Sequence, residues 1–311
     1  MKLYIKANNL NILKNYQNLI TSNLSKTLPL SLENMPIEYI SNIKSAKEIE
    51  HLKKQLFFDN RELRKIIKGV YFGNSSCEHL LPSLLDISKA KAMFDDKYHN
   101  FVFVFPPISE NKKDEATDIL KELQKTSQEI VVNDFGMLKR VLDVGCKPIL
   151  GINFTKTIKN AFIDNITPSE LNTKQLDNQK KLLKSLEFEL EDVRKYYKSL
   201  GIGRFSVENI EYDFEFLKQT PLMNVDIYYP FITISNSRAC DIAGIFDDKR
   251  RYFAHKECHK LCNKVSLEFE HSKIFGLYQR YNSIFKTDIK LKIPQTIYKN
   301  SKNRLIWEIF L

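Results

Sequence analysis

The stretch EIVVNDFGMLKRVLDVGCKPILGIN, residues 129–153, decides the fold. It opens on a short apolar run at 129–133 and continues through a helix-like stretch at 135–145, with Gly145 placed as a C-cap. It then returns to an apolar run at 148–153. Strand, helix and strand in so short a span read as a βαβ unit, whose crossover sets its two strands parallel. The same alternation extends in both directions, with candidate strands at 2–6, 37–43, 69–73, 100–105, 204–207 and 225–234. FVFVF at 101–105 and VYF at 70–72 are continuously apolar, as parallel strands covered on both faces are. Between them lie helical stretches. Residues 110–127 carry Ala116, Ile119, Leu120 and Leu123 at helical spacing, and the longest stretch, 169–200, stops at Gly201.

The expected fold class is therefore α/β, a TIM-like (β/α) barrel with a small C-terminal appendage. Residues 1–264 would form the barrel with a cysteine-rich loop, and residues 265–311 an extension closing or packing on it. That extension offers IFGLYQRY, IKLKI and RLIWEIF, which read as short strands around turns.

Composition narrows the class. With 21 Phe and 14 Tyr among 311 residues, a largely disordered chain is excluded. No apolar run approaches the roughly 20 residues of a membrane-spanning helix; the best, 101–108, is short and holds two prolines. The beginning, MKLYIKANNL, lacks the apolar stretch and cleavage site of a signal peptide, so a cytoplasmic protein with no membrane span is expected. The net charge of +10 comes mostly from scattered lysines, with only ten arginines, which reads as a solvated surface.

In a parallel α/β protein the ligand site lies beyond the carboxyl ends of the strands. Cys77 follows the VYFG strand and Cys240 follows the YYPFITI run; Cys258 and Cys262, a C-x-x-x-C pair, belong to the same excursion as Cys240. Cys146 enters a strand and should face the opposite end. Four cysteines on one loop face would make either a thiolate-ligated iron–sulfur cluster or an all-cysteine zinc site. His255 and His259 flank the pair and keep zinc open. Asp134 and Glu208 are the candidate catalytic carboxylates, Asp134 also being placed to cap the helix that follows it. Asn133, Asn153, Arg204 and Arg238 are candidate substrate-binding residues. There is no GxSxG, HExxH, Walker loop or Rossmann glycine fingerprint.

Taken in order, EIVVNDFGMLKRV, KPILGINF, RFSVENI, the Cys240–Cys258–Cys262 loop and YFGNSSC resemble the motifs of the collagenase-like peptidase family U-32, nearest its short UbiV-like branch. The resemblance covers residues 69–265. It implies a barrel holding a [4Fe–4S] cluster on Cys77, Cys240, Cys258 and Cys262. It further implies a role in oxygen-independent hydroxylation or modification of a small aromatic or RNA substrate, with a homologous family member as heterodimeric partner. The alternatives are a peptidase, after the family label, and a non-catalytic iron–sulfur subunit of a larger complex.

Overall fold

The computed structural model describes residues 1–14, 67–94, 100–125, 128–155, 172–183, 185–210, 212, 214–219, 223–245, 258–269, 277–287, 294, 297 and 299–308. Eight strands close into a parallel barrel: β1 (Lys2–Ala7), β2 (Ile67–Gly73), β3 (Asn100–Val104), β4 (Glu129–Val132), β5 (Lys147–Leu150), β6 (Arg204–Glu208), β7 (Asn224–Tyr229) and, last in the chain, β12 (Arg304–Glu308). Helices stand between them: α1 (Leu84–Phe94), α2 (Lys113–Gln124), α3 (Phe135–Asp143), α4 (Thr173–Leu183), α5 (Glu191–Ser199) and α6 (Phe216–Gln219). A TIM-like α/β barrel is the architecture that the alternating apolar runs predict.

Side chains of successive strand residues point alternately into the barrel and out toward the helices. Ile5, Val70, Phe72, Phe101, Phe103, Val132 and Phe205 face outward and form the larger core with the helices. On α2, Ala116, Ile119, Leu120 and Leu123 are all buried, as the helical spacing predicts. Tyr4, Tyr71, Val102, Val104, Val131, Ile149, Tyr228 and Ile306 fill the barrel axis. Tyr4 and Tyr71 meet edge to face at 5.5 Å between ring centres. Gly69 makes room for that pair: a Cβ there would stand 2.6 Å from the Tyr4 ring and 2.1 Å from the Asn100 carbonyl oxygen.

Two expectations change in the structure, and the C-terminal extension takes the first of its two readings by closing the barrel. The run 225–234 is two strands, because Pro230 has no N–H to continue a ladder. Β-strand β7 ends at Tyr229, and β8 (Phe231–Asn236) leaves the barrel for a four-stranded antiparallel sheet in the order β8-β11-β10-β9. Its other strands are β9 (Leu267–Glu268), β10 (Leu277–Arg280) and β11 (Ser283–Thr287). The eighth barrel strand comes from RLIWEIF, which lies between β1 and β7 and pairs parallel with both; the candidate strand 37–43 and the run IKLKI lie outside the described residues. The long helix at 169–200 is broken. Glu189 Oε1 accepts the Leu186 N–H at 3.0 Å, beginning a new turn, and Phe188 stacks on Phe205 with ring centres 4.3 Å apart. Burying that ring on the barrel wall outweighs continuing the helix into solvent.

Candidate functional site

All the carboxyl ends of the barrel strands open toward the side that carries the small sheet. Gly73, the last residue of β2, takes a φ of +122°, and the loop beyond it is folded by Asn74. Its Oδ1 accepts the N–H groups of Ser76 at 2.8 Å and Cys77 at 2.7 Å, an Asx turn that fixes where the Cys77 thiol points. Cys240 lies past β8 and begins the short helix α7 (Asp241–Gly244). Cys262 sits in a 3₁₀ turn at Leu261–Asn263, preceded by Lys260 in the left-handed region at φ 53°.

These segments converge. Cys77, Cys240, Cys258 and Cys262 line one cavity of about 460 Å³, together with Asn153 and Arg238. Cys146 is elsewhere, buried between the barrel and its helices. Burial first, then the nearby Cys262, pushes the Cys77 thiol up to about 12. Cys262 is pushed up to about 12 by burial and by Cys240 and Cys258. Burial raises Cys240 as well. Burial, reinforced by the neighbouring thiols, thus favours the protonated form of Cys77, Cys240 and Cys262 in the metal-free chain, and a bound metal would displace those protons. Among the described residues, no three His, Cys, Asp or Glu side chains gather tightly enough to hold a single metal ion. His79, Arg238, His259 and Lys260 supply basic side chains to the cavity wall.

The turn between β10 and β11 holds the cysteine loops together. Arg280 Nε donates to the Cys262 carbonyl at 3.1 Å, and the Cys240 thiol donates to the Tyr281 carbonyl at 3.1 Å. Asn282 Nδ2 donates to the carbonyls of Ser76 at 3.0 Å and Ser237 at 2.6 Å, joining the Cys77 loop to the Cys240 loop. Tyr281, at φ 60°, is 2% exposed and packs with Cys77, Leu80, Ile242 and Cys262. Sequence reasoning missed this turn. Its only advance signal is a polar Arg-Tyr-Asn run between two apolar strands.

Of the other predicted residues, Asn133, Asp134, Arg204 and Glu208 do not line the cavity, whereas Asn153 does. Asp134 is committed as a helix cap: its Oδ1 accepts the Met137 N–H at 2.8 Å and its Oδ2 the Ile108 N–H at 2.9 Å. Asn133 Nδ2 donates to the Phe105 carbonyl at 2.7 Å, tying β3 to β4 below the mouth. Asn133 also hands its own carbonyl to Asn153 Nδ2 at 3.4 Å, while Asn153 Oδ1 accepts Asn236 Nδ2 at 3.0 Å at the cavity wall. Glu208 is buried at the end of β6, where Oε1 accepts the Thr233 N–H at 2.6 Å and so docks the small sheet on the barrel. Arg204 begins β6 and lies at the opposite mouth, paired with Asp226 at 2.6 Å. A strand's first residue cannot reach the loops at its far end. His255 lies outside the described residues.

No helix among the described residues is long and apolar enough to cross a membrane. Comparison with protein-family models, with curated proteins and with solved structures finds no match to this chain.

Proposed function

We propose that this protein carries a [4Fe–4S] cluster on Cys77, Cys240, Cys258 and Cys262. On this reading it takes part in an oxygen-independent hydroxylation or related modification of a small aromatic or RNA substrate, as the family resemblance implies. One observation supports the reading above the others. Four cysteines from distant parts of the chain line a single cavity at the strand ends, while the fifth is buried apart from them. The donor set fits the group. Thiolates are the ordinary ligands of iron–sulfur clusters, and sulfurs spread around a cavity suit a polynuclear centre better than one tetrahedral zinc with ~2.3 Å bonds. When bound, the cluster would supply one-electron chemistry at the barrel mouth. The chain's own part is to hold and shield it: Asn74 aims Cys77, the Arg280–Asn282 turn ties the loops, and Arg238 and Lys260 bring positive charge to the wall. A homologous partner chain belongs to the same proposal.

The test is anaerobic purification followed by iron, sulfide and zinc analysis with electron paramagnetic resonance of the reduced protein. Four iron and four sulfide per chain are expected from this reading. Cys77→Ser should lose most of that iron and Cys146→Ser should keep it. Stoichiometric zinc without sulfide, or equal iron in the two variants, would overturn the assignment.

A further inference from the structure

Beneath the cysteine cavity a second, small space lies at the inner end of the barrel mouth. Its walls include Lys6, Ser75, Thr233, Tyr281, Ser283 and Glu308, and it offers about 10 Å³. That is room for about one water-sized guest. Lys6 and Glu308 belong to the top inward-facing layer of the barrel, two residues beyond Tyr4 and Ile306, and β8 and β11 roof the space. Tyr281 and Asn236 line both this chamber and the cysteine cavity, so the two are separated by a single layer of side chains.

Not all of the chamber's polar atoms are spent. Ser283 Oγ is buried without a partner at hydrogen-bonding geometry, as is Oδ1 of Asn8, whose Nδ2 donates to the Tyr281 hydroxyl at 2.9 Å. The Ser75 hydroxyl has the Tyr228 hydroxyl as one neighbour and keeps capacity for a second hydrogen bond. Buried hydroxyls and amides are ordinarily hydrogen-bonded, and a roof of apolar residues would close the barrel without them. Lys6 donates to Glu308 at 2.6 Å, which uses one of its three N–H groups. Glu208, also buried, docks the roof strand on Thr233. Within the lining, Glu308 already neutralises the single ammonium of Lys6, so a further anion would find no uncompensated positive charge to meet it.

We propose that this chamber binds one neutral hydroxyl-class oxygen, held by the hydroxyls of Ser75 and Ser283 and by the ammonium of Lys6, and that it rejects carboxylates. The oxygen is a water in the free chain or the terminal hydroxyl of a ligand seated in the cysteine cavity. Only the second source rests on reading that cavity as the substrate site. Phenol is the simplest probe with such a hydroxyl, and benzoate is its carboxylate counterpart.

The test is a high-resolution anaerobic crystal structure of the full chain, free and with each probe, together with calorimetric titration. The free chain should show one density peak within hydrogen-bonding distance of Ser75 and Ser283. A phenol hydroxyl replacing that peak, or the peak persisting beside phenol, supports the proposal and names ligand or water as the source. Ser283→Ala should lose the peak; where phenol binds, it should do so about tenfold more weakly, the worth of one hydrogen bond. Ser75→Ala serves as the second variant should the first fail to fold. An empty chamber in the free chain and with phenol, a benzoate carboxylate inside it, or a peak unchanged in Ser283→Ala overturns it. A chain with iron but an empty chamber sinks this inference alone; a filled chamber without iron sinks the cluster alone.

Discussion

At the amino-terminal mouth of the barrel, two arginines and two carboxylates form one network, with Arg204 also 3.8 Å from Glu129. Arg204 bonds Asp226 at 2.6 Å, Arg304 bonds Glu129 at 2.6 Å, and the Tyr71 hydroxyl, donating to Asp226, accepts from Arg304 at 2.8 Å. The Arg304 guanidinium also lies 4.7 Å from the Tyr4 ring centre. At the carboxyl mouth the balance is different. Four thiols share a cavity, and below them the Ser283 hydroxyl lies buried without a partner beside one ion pair. The first arrangement closes the barrel and leaves no chemistry to spare. The second keeps donors and acceptors uncommitted at a cost in stability, which is how barrels divide labour between their ends.

Breaking the networked end should therefore produce the largest effect. Asp226→Ala strips Arg204 and Tyr71 of their shared partner, and losing one side of a buried pair costs about 3–5 kcal/mol. Urea denaturation should show that loss, with the iron content of the folded fraction unchanged. A fall in iron that tracks the fall in stability would mean that the two ends are not separate.

The buried pair at the other mouth sharpens the contrast. Lys6→Met leaves Glu308 buried without its partner and should cost about 3 kcal/mol. Replacing both partners, Lys6→Met with Glu308→Leu, should restore most of that stability, because two apolar side chains carry no desolvation penalty. A double variant no more stable than the single one would show that Lys6 also supports the fold through another contact.

The sequence revealed the two ends unequally. Continuous apolar strands such as FVFVF announce a parallel barrel, and asking which residues follow a strand separates four cysteines from Cys146. Both inferences rest on local pattern. Arg204 could have been excluded by the same rule, since it begins β6 and does not end it. Asp134 reads alike as a cap and as a site residue, and only its two backbone partners at 2.8 and 2.9 Å decide. The closing of the barrel by Arg304–Glu308, and the tie made by Asn282, depend on contacts across most of the chain length, which no spacing encodes.

Asn282 carries the next effect. Asn282→Ala removes the donor that joins the Cys77 and Cys240 loops and leaves two carbonyls to find other partners, at about 1–3 kcal/mol. In the metal-free chain, Cys77 and Cys240 should then be alkylated faster at neutral pH, measured by mass spectrometry, while Cys146 keeps its rate. Unchanged rates at all three would mean that the loops hold their places without the turn.

The smallest effect separates a cap from a catalyst. Asp134→Ala removes the acceptor for two backbone amides and should cost about 1–2 kcal/mol, the upper range for an N-cap. Asp134→Asn keeps one amide oxygen as acceptor for the Met137 N–H, so thermal unfolding should recover about half of that loss. The carboxylate charge lies outside the cysteine cavity, so iron content in Asp134→Asn should match the parent chain. If the amide variant is as stable as the parent yet inactive once an assay is in hand, Asp134 takes part in the reaction, and the division between the two mouths would have to admit a cap that also serves the site.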